Sequence, residues 1–165
     1  MALIKNGELV EDTFTNATGL EVLPTSGPVI VSLEQWQRDR ESLAARAEPF
    51  GVRLKSDEPP ERIAADLEHF ALVALEFPKF RDGRAYSYAR LLRERYGYER
   101  EIRAVGDVLL EQLFFMLRSG FDAFELKSPD PLADYETAIR EFSVWYQPTG
   151  DGRSTAMQLR RARRA

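Results

Sequence analysis

The stretch ALVALEFPKFRDGRAYSYARLLRERYG, Ala71 to Gly97, sets the pattern for the whole chain. Ala71–Phe77 is apolar except for Glu76, as expected of a strand covered on both faces. Pro78–Asp82 is a turn. From about Gly83 to Tyr96, the residues Ala85, Tyr88, Ala89, Leu92 and Tyr96 recur at helical spacing, and Gly97 stops the helix. The same strand-then-helix unit repeats on both sides. Upstream, Val29–Val31 leads into Ser32-Leu33-Glu34-Gln35, a capping box with Ser32 at N-cap and Gln35 at N3. The helix that follows carries Trp36, Leu43, Ala44 and Ala47 on one face. Gly51–Leu54 gives a second strand. Pro59 and Pro60 open a second helix with Ile63, Ala64, Leu67 and Phe70 inward. Downstream, Glu101–Val105 precedes a helix at Val108–Arg118 that Gly120 stops. Phe121–Leu126 precedes a helix opened by Asp130-Pro131 and closed by Pro148, with Tyr135, Ala138, Ile139, Phe142 and Tyr146 on one face.

Five β-then-α units in sequence predict an α/β fold with an open, mainly parallel sheet flanked by helices. A doubly wound sheet is the favoured arrangement, and an incomplete TIM-barrel-like fragment is the alternative, because five units do not close an eight-stranded barrel. Residues 1–27 form a lead-in: Asn6-Gly7 between ALIK and ELVEDTF is a hairpin signal. Residues 28–148 are the α/β domain and residues 149–165 a basic tail, expected to be disordered.

The chain has 165 residues, 44% hydrophobic and 30% charged, the composition of a globular domain with a core. No apolar run approaches the roughly 20 residues of a membrane span, and MALIKNGELVEDTF lacks the layout of a signal peptide, so a cytoplasmic location and no membrane partner are expected. There is no cysteine, which excludes thiol catalysis, disulfides and a cysteine-ligated iron–sulfur cluster. The single histidine, His69, excludes a multi-histidine metal site; a carboxylate-bound magnesium is left open. Net charge is −4. The last fifteen residues hold five arginines and one aspartate, so the tail is +4 and the remainder −8. An acidic body argues against nucleic acid as the partner.

Open α/β sheets bind ligands beyond the carboxyl ends of their strands. Those ends offer Ser32, Lys55-Ser56-Asp57, the run Pro78–Arg84, Gly106-Asp107 and Lys127-Ser128. The third turn is the richest. Lys79, Arg81, Gly83, Arg84 and Ser87 form a candidate anion site, with free helix N–H groups, two guanidinium forks and a hydroxyl. The simpler alternative is that Asp82 caps the helix and pairs with the arginines. The glycine spacing matches neither a phosphate loop nor a dinucleotide fingerprint, and no cofactor is evident. Glu76 and Asp107 are weak catalytic candidates: Glu76 because a carboxylate in an apolar run has a perturbed pKa, Asp107 as an acid or magnesium ligand, although its position suits an N-cap. His69 lies at the amino end of the central strand and reads as structural. Tyr86, Tyr88, Trp36 and Trp145 are flat surfaces for a cofactor, but aromatics at helical spacing more often belong to a core.

FPKFRDGRAYSYARLLR and GDVLLEQLFFMLRSGF resemble the bacterial domain-of-unknown-function family 934, and the similarity extends from Pro28 to about Tyr146. The resemblance implies a link to assimilatory sulfite reduction, since members are described as oxidoreductases of that process and their genes tend to lie beside the sulfite reductase gene. It carries no catalytic residues. A chain without cysteine cannot hold the reductase's iron–sulfur cluster or siroheme as the reductase does, so the expectation is an accessory protein that binds a sulfur oxyanion or the reductase itself. The alternative is an enzyme acting on a small oxyanionic or phosphorylated metabolite. Helix four has apolar residues on more than one face, so Phe115 and Met116 are expected at a homodimer or partner interface.

Overall fold

The computed structural model describes residues 1–149 and 153–163. Eight strands form a single mixed, mainly parallel sheet: β1 Ala2–Lys5, β2 Glu8–Val10, β3 Thr15–Asn16, β4 Val29–Ser32, β5 Phe50–Leu54, β6 Leu72–Phe77, β7 Glu101–Gly106 and β8 Ala123–Leu126, in the spatial order β2-β1-β8-β7-β6-β5-β4-β3. Neighbours from β3 to β8 run parallel, whereas β1 is antiparallel to both β2 and β8. The Asn6-Gly7 hairpin is present, with φ of 52° and 86° at its two residues, the left-handed backbone that a tight two-residue turn requires.

From β3 to β8 the strand order never reverses, which corrects the doubly wound expectation. Right-handed crossovers that always step in one direction put every connecting segment on the same face. The core shows this. Val31, Val52, Leu75, Phe77 and Phe124 pack with helix side chains such as Trp36, Ala89, Leu92 and Met116. Residues of the opposite strand parity, Ile30, Leu72, Ala74 and Val105, meet none of the helices and gather instead around Phe14.

The chain between β2 and β3 dictates the shape of the sheet. These strands are consecutive in sequence and lie at opposite edges, joined only by residues 11–14. Across a flat sheet the seven spacings would add to about 34 Å. Five extended residue steps, Val10 to Thr15, reach at most about 18 Å. The sheet therefore curls into a half-barrel, with its helix-free face concave and residues 11–14 strapped across it. The barrel-like alternative describes this architecture better than the flat sheet.

The helices are α1 Leu33–Arg38, α2 Arg40–Ala44, α3 Arg84–Arg90, α4 Leu113–Ser119, α5 Pro131–Arg140 and α6 Ala156–Ala162. The Ser32–Gln35 capping box forms with both of its bonds, 3.1 and 2.7 Å, and a π turn, Leu91–Arg95, extends α3. Three expectations are corrected. The segment after β5 is two 3-10 turns, Pro60–Arg62 and Ala64–His69, because Ile63 between them leaves helical backbone at φ −123°. α5 ends at Arg140, well before Pro148. The described part of the basic tail is ordered as α6, for which Thr155 and Gln158 supply a capping box like that of α1. No helix among the described residues is long and apolar enough to cross a membrane.

Gly51 lies on the concave face, in register with Leu72. A Cβ built on it would sit 2.5 Å from Leu72 Cγ and 2.9 Å from the Leu72 carbonyl oxygen. Backbone cannot yield as a side-chain end can, so Gly51→Ala is expected to destabilise the protein by about 1–3 kcal/mol, read as a lowered urea midpoint at unchanged m-value.

Candidate functional site

The concave face carries charge where a closed barrel would carry apolar layers. Across the sheet, Ser32, Arg53, Ala74, Arg103, Ala123 and Lys5 share one register row. Glu76 and Glu125 stand on the side of this row towards the carboxyl ends of the parallel strands, and Glu101 on the other. Arg103 is the centre. It is 1% exposed. Its Nε donates to Glu101 (2.7 Å), one terminal nitrogen donates to Asp12 of the strap (2.8 Å) and stands 3.5 Å from Glu125. Its guanidinium lies 5.8 Å from the Phe14 ring centroid, in reach of a cation–π contact. Lys5 shares Glu101 at 2.7 Å. Burial works against the Arg103 charge, but Glu101 and Asp12 outweigh it and the pKa is raised.

Arg53 pairs with Glu76 at 3.2 Å, and both side chains remain partly exposed at the mouth. Glu76 is therefore committed to a partner on the concave face. Arg53, Arg103, Glu101, Glu125, Lys5 and Asp12 were not singled out from the sequence. The available signal was a lone charge, or two charges two residues apart, in otherwise apolar strands: FGVRL, ALVALEF, EIRAVG and AFEL.

Around the third turn the simpler alternative prevails at Arg84. Its Nε and a terminal nitrogen donate to the two oxygens of Asp82 at 3.0 and 2.7 Å, and the latter nitrogen also donates to Ser56 Oγ at 2.9 Å. The Tyr88 hydroxyl donates to the Ser56 carbonyl, 2.9 Å, so the turn after β5 braces the turn after β6. The Arg84 hydrogen bond holds the Asp82 carboxyl well below the usual carboxylate range. Gly83 has ordinary backbone, φ −93°, and a Cβ there would make only an ordinary contact, 3.8 Å to Tyr86 Cδ2, so neither a left-handed conformation nor crowding calls for glycine there. Ser87 faces a separate shallow cleft of about 380 Å³ with Arg90, Leu91, Glu94 and Arg95. Lys79 and Arg81 are exposed and have no carboxylate partner among the described residues. Between them Phe80 is 53% exposed.

Asp107 does not cap the next helix. Its backbone N–H donates to the Phe77 carbonyl, 2.8 Å, and Gln112 Oε1 accepts from Leu109 N instead, 3.2 Å. The aromatic candidates lie in packed settings. Trp36 stacks on Phe50, meets Phe70 edge-on and donates to Asp66. Tyr86 packs edge-on against Phe77, and burial pushes its hydroxyl up to about 12. His69 contacts the Trp36 ring at the amino end of the sheet. Of the expected interface pair, Phe115 is 52% exposed but Met116 is fully buried: the helix turns one towards solvent and the next into the core.

Burial raises the Glu125 pKa, only partly opposed by Arg103. A raised folded-state value means that the group's contribution to stability is full below its unfolded pKa and is lost as pH rises through the folded one. Glu125→Gln is therefore expected to match the parent protein in acid and to equal or exceed it at neutral pH. Thermal melts across the acid-to-neutral range check this; a variant that loses stability only at neutral pH contradicts it.

Comparison with curated proteins found no match. The family described as "Bacterial protein of unknown function (DUF934)" matches residues 51–157. That span starts within β5, takes in the third turn, Arg103 and the helices after it, and ends in α6. The chain belongs to this bacterial family.

Proposed function

We propose that the protein is a binding accessory of assimilatory sulfite reduction, and that it docks on an acidic surface of the reductase through the loop tip Lys79-Phe80-Arg81. The observation that carries the reading is an exposed aromatic ring between two cations that lack partners among the described residues, on a loop whose base is fixed. Aromatic anchors rimmed by charge are what interfaces use, and a loop held before binding loses less entropy on docking. The rim charges speed encounter and select an acidic partner. The link to sulfite reduction comes from the family resemblance.

This reading is favoured over an anion-clamping enzyme. Arg84, one arm of the expected clamp, is neutralised by Asp82, and Glu76 by Arg53. Lys79 and Arg81 are what is left for a sulfur oxyanion.

Binding of the purified protein to purified sulfite reductase tests the proposal. Phe80→Ala and the charge reversal Lys79→Glu/Arg81→Glu are each expected to weaken the complex by roughly tenfold or more, and added salt to weaken the parent complex. Inorganic sulfite alone is expected to give no saturable heat of binding. A reductase that ignores the protein, or binds the variants equally well, rejects the docking role. In the cell, a deletion strain is expected to grow poorly on sulfate or sulfite and normally on cysteine.

A further inference from the structure

Beside α4 the chain forms a second surface. The segment after α5 returns along α4. There Arg118 lies 5.2 Å from the Trp145 ring centroid and Arg153 lies 5.4 Å from it. The Ala156 N–H donates to the Trp145 carbonyl, 2.8 Å, which pins α6 alongside. Thr155 and Ala156 are buried by this docking. Between α6 and the strip Val144–Tyr146 runs a groove of about 240 Å³, lined by Val144, Tyr146, Ala156, Leu159, Arg160 and Arg163. Its floor is apolar, and Tyr146 stands 73% exposed beside it.

The charge around this groove is one-sided. α6 reads AMQLRRA, with no acidic residue. Arg160, Arg161 and Arg163 have no ion-pair partner among the described residues, although the chain has 27 acidic residues to offer. Cations suit the end of a helix, but that does not account for an apolar groove beside them. The groove is smaller than the roughly 300–1,000 Å³ of small-molecule sites, and its apolar lining with a basic rim suits a stripe of apolar and acidic side chains.

We propose that this groove docks an acidic amphipathic segment of a partner protein, with the segment's apolar side chains on Val144, Tyr146 and Leu159 and its carboxylates on Arg160 and Arg163. A second copy of the chain fits less well, because two-fold pairing of this surface sets arginines against arginines. The inference does not rest on the Phe80 loop.

The test uses a labelled synthetic helical peptide with a Leu stripe and Glu on its flanks, titrated with the full chain and read by fluorescence anisotropy. The expected result is saturable, salt-sensitive binding that falls roughly tenfold or more for Arg160→Glu/Arg163→Glu and again when the peptide's Leu residues are replaced by Ser. Tyr146→Ala, at an exposed position, is expected to weaken binding without changing the melting temperature. No binding, equal binding of the Ser peptide, or indifference to the arginine reversal overturns the proposal. So does self-association in sedimentation that the reversal abolishes, which assigns the groove to a second copy. Binding to phosphatidylserine vesicles but not to the peptide assigns it to a membrane surface and equally overturns the proposal.

Discussion

A strap of four residues, 11–14, joins the two outermost strands of an eight-stranded sheet. It is too short to cross a flat sheet, so the edges must approach each other. Curling makes one face concave, and single-direction crossovers reserve the other face for the helices. The strap then lies where the missing part of a barrel would be and covers the concave face: Asp12 meets Arg103 and Phe14 packs on the small apolar cluster.

Burial of Arg103 follows from this closure. A guanidinium taken out of water costs several kcal/mol unless it is paired and hydrogen-bonded. Here Glu101 comes from the same strand, Glu125 from the neighbouring strand and Asp12 from the strap. Lys5 adds a second cation beside Glu101. The charges link β1, β7, β8 and the strap, elements far apart in sequence. Removing Asp12 or Glu101 takes a partner from a guanidinium that is 1% exposed, and removing Arg103 leaves the buried Glu101 beside Lys5 alone. The cluster therefore ties the closed shape together, while the groups that reach solvent, the Phe80 loop and the α6 groove, lie outside it and are free to differ in what they bind.

Much of this was legible in the residues. The apolar runs located β4 to β8 to within a residue or two, and Ser32–Gln35, Gly97, Gly120 and Asp130-Pro131 marked helix ends through turn and cap chemistry that acts locally. The strand order was not legible, since βα repeats are compatible with winding in one direction or two. The strap was not either: nothing in Glu-Asp-Thr-Phe says that its ends sit on opposite edges. Without the order, Arg53, Glu76, Arg103 and Glu125 looked like isolated charges, and their common face emerged only with the register. The Thr155–Gln158 capping box was as readable as that at Ser32, but the arginines around it suggested a solvated tail. At Arg84 the residues leave a ligand arm and a pair with Asp82 both open, and the turn geometry decides for the pair.

Asp12 and Arg103 hold the strap to the concave face. A double-mutant cycle measures it: urea unfolding of the parent protein, Asp12→Ala, Arg103→Met and the pair. The expected coupling energy is about 1–3 kcal/mol, with Asp12→Ala costly in the parent and nearly neutral once Arg103 is gone. Two effects that add to within about 0.3 kcal/mol would show that the strap is held by something else.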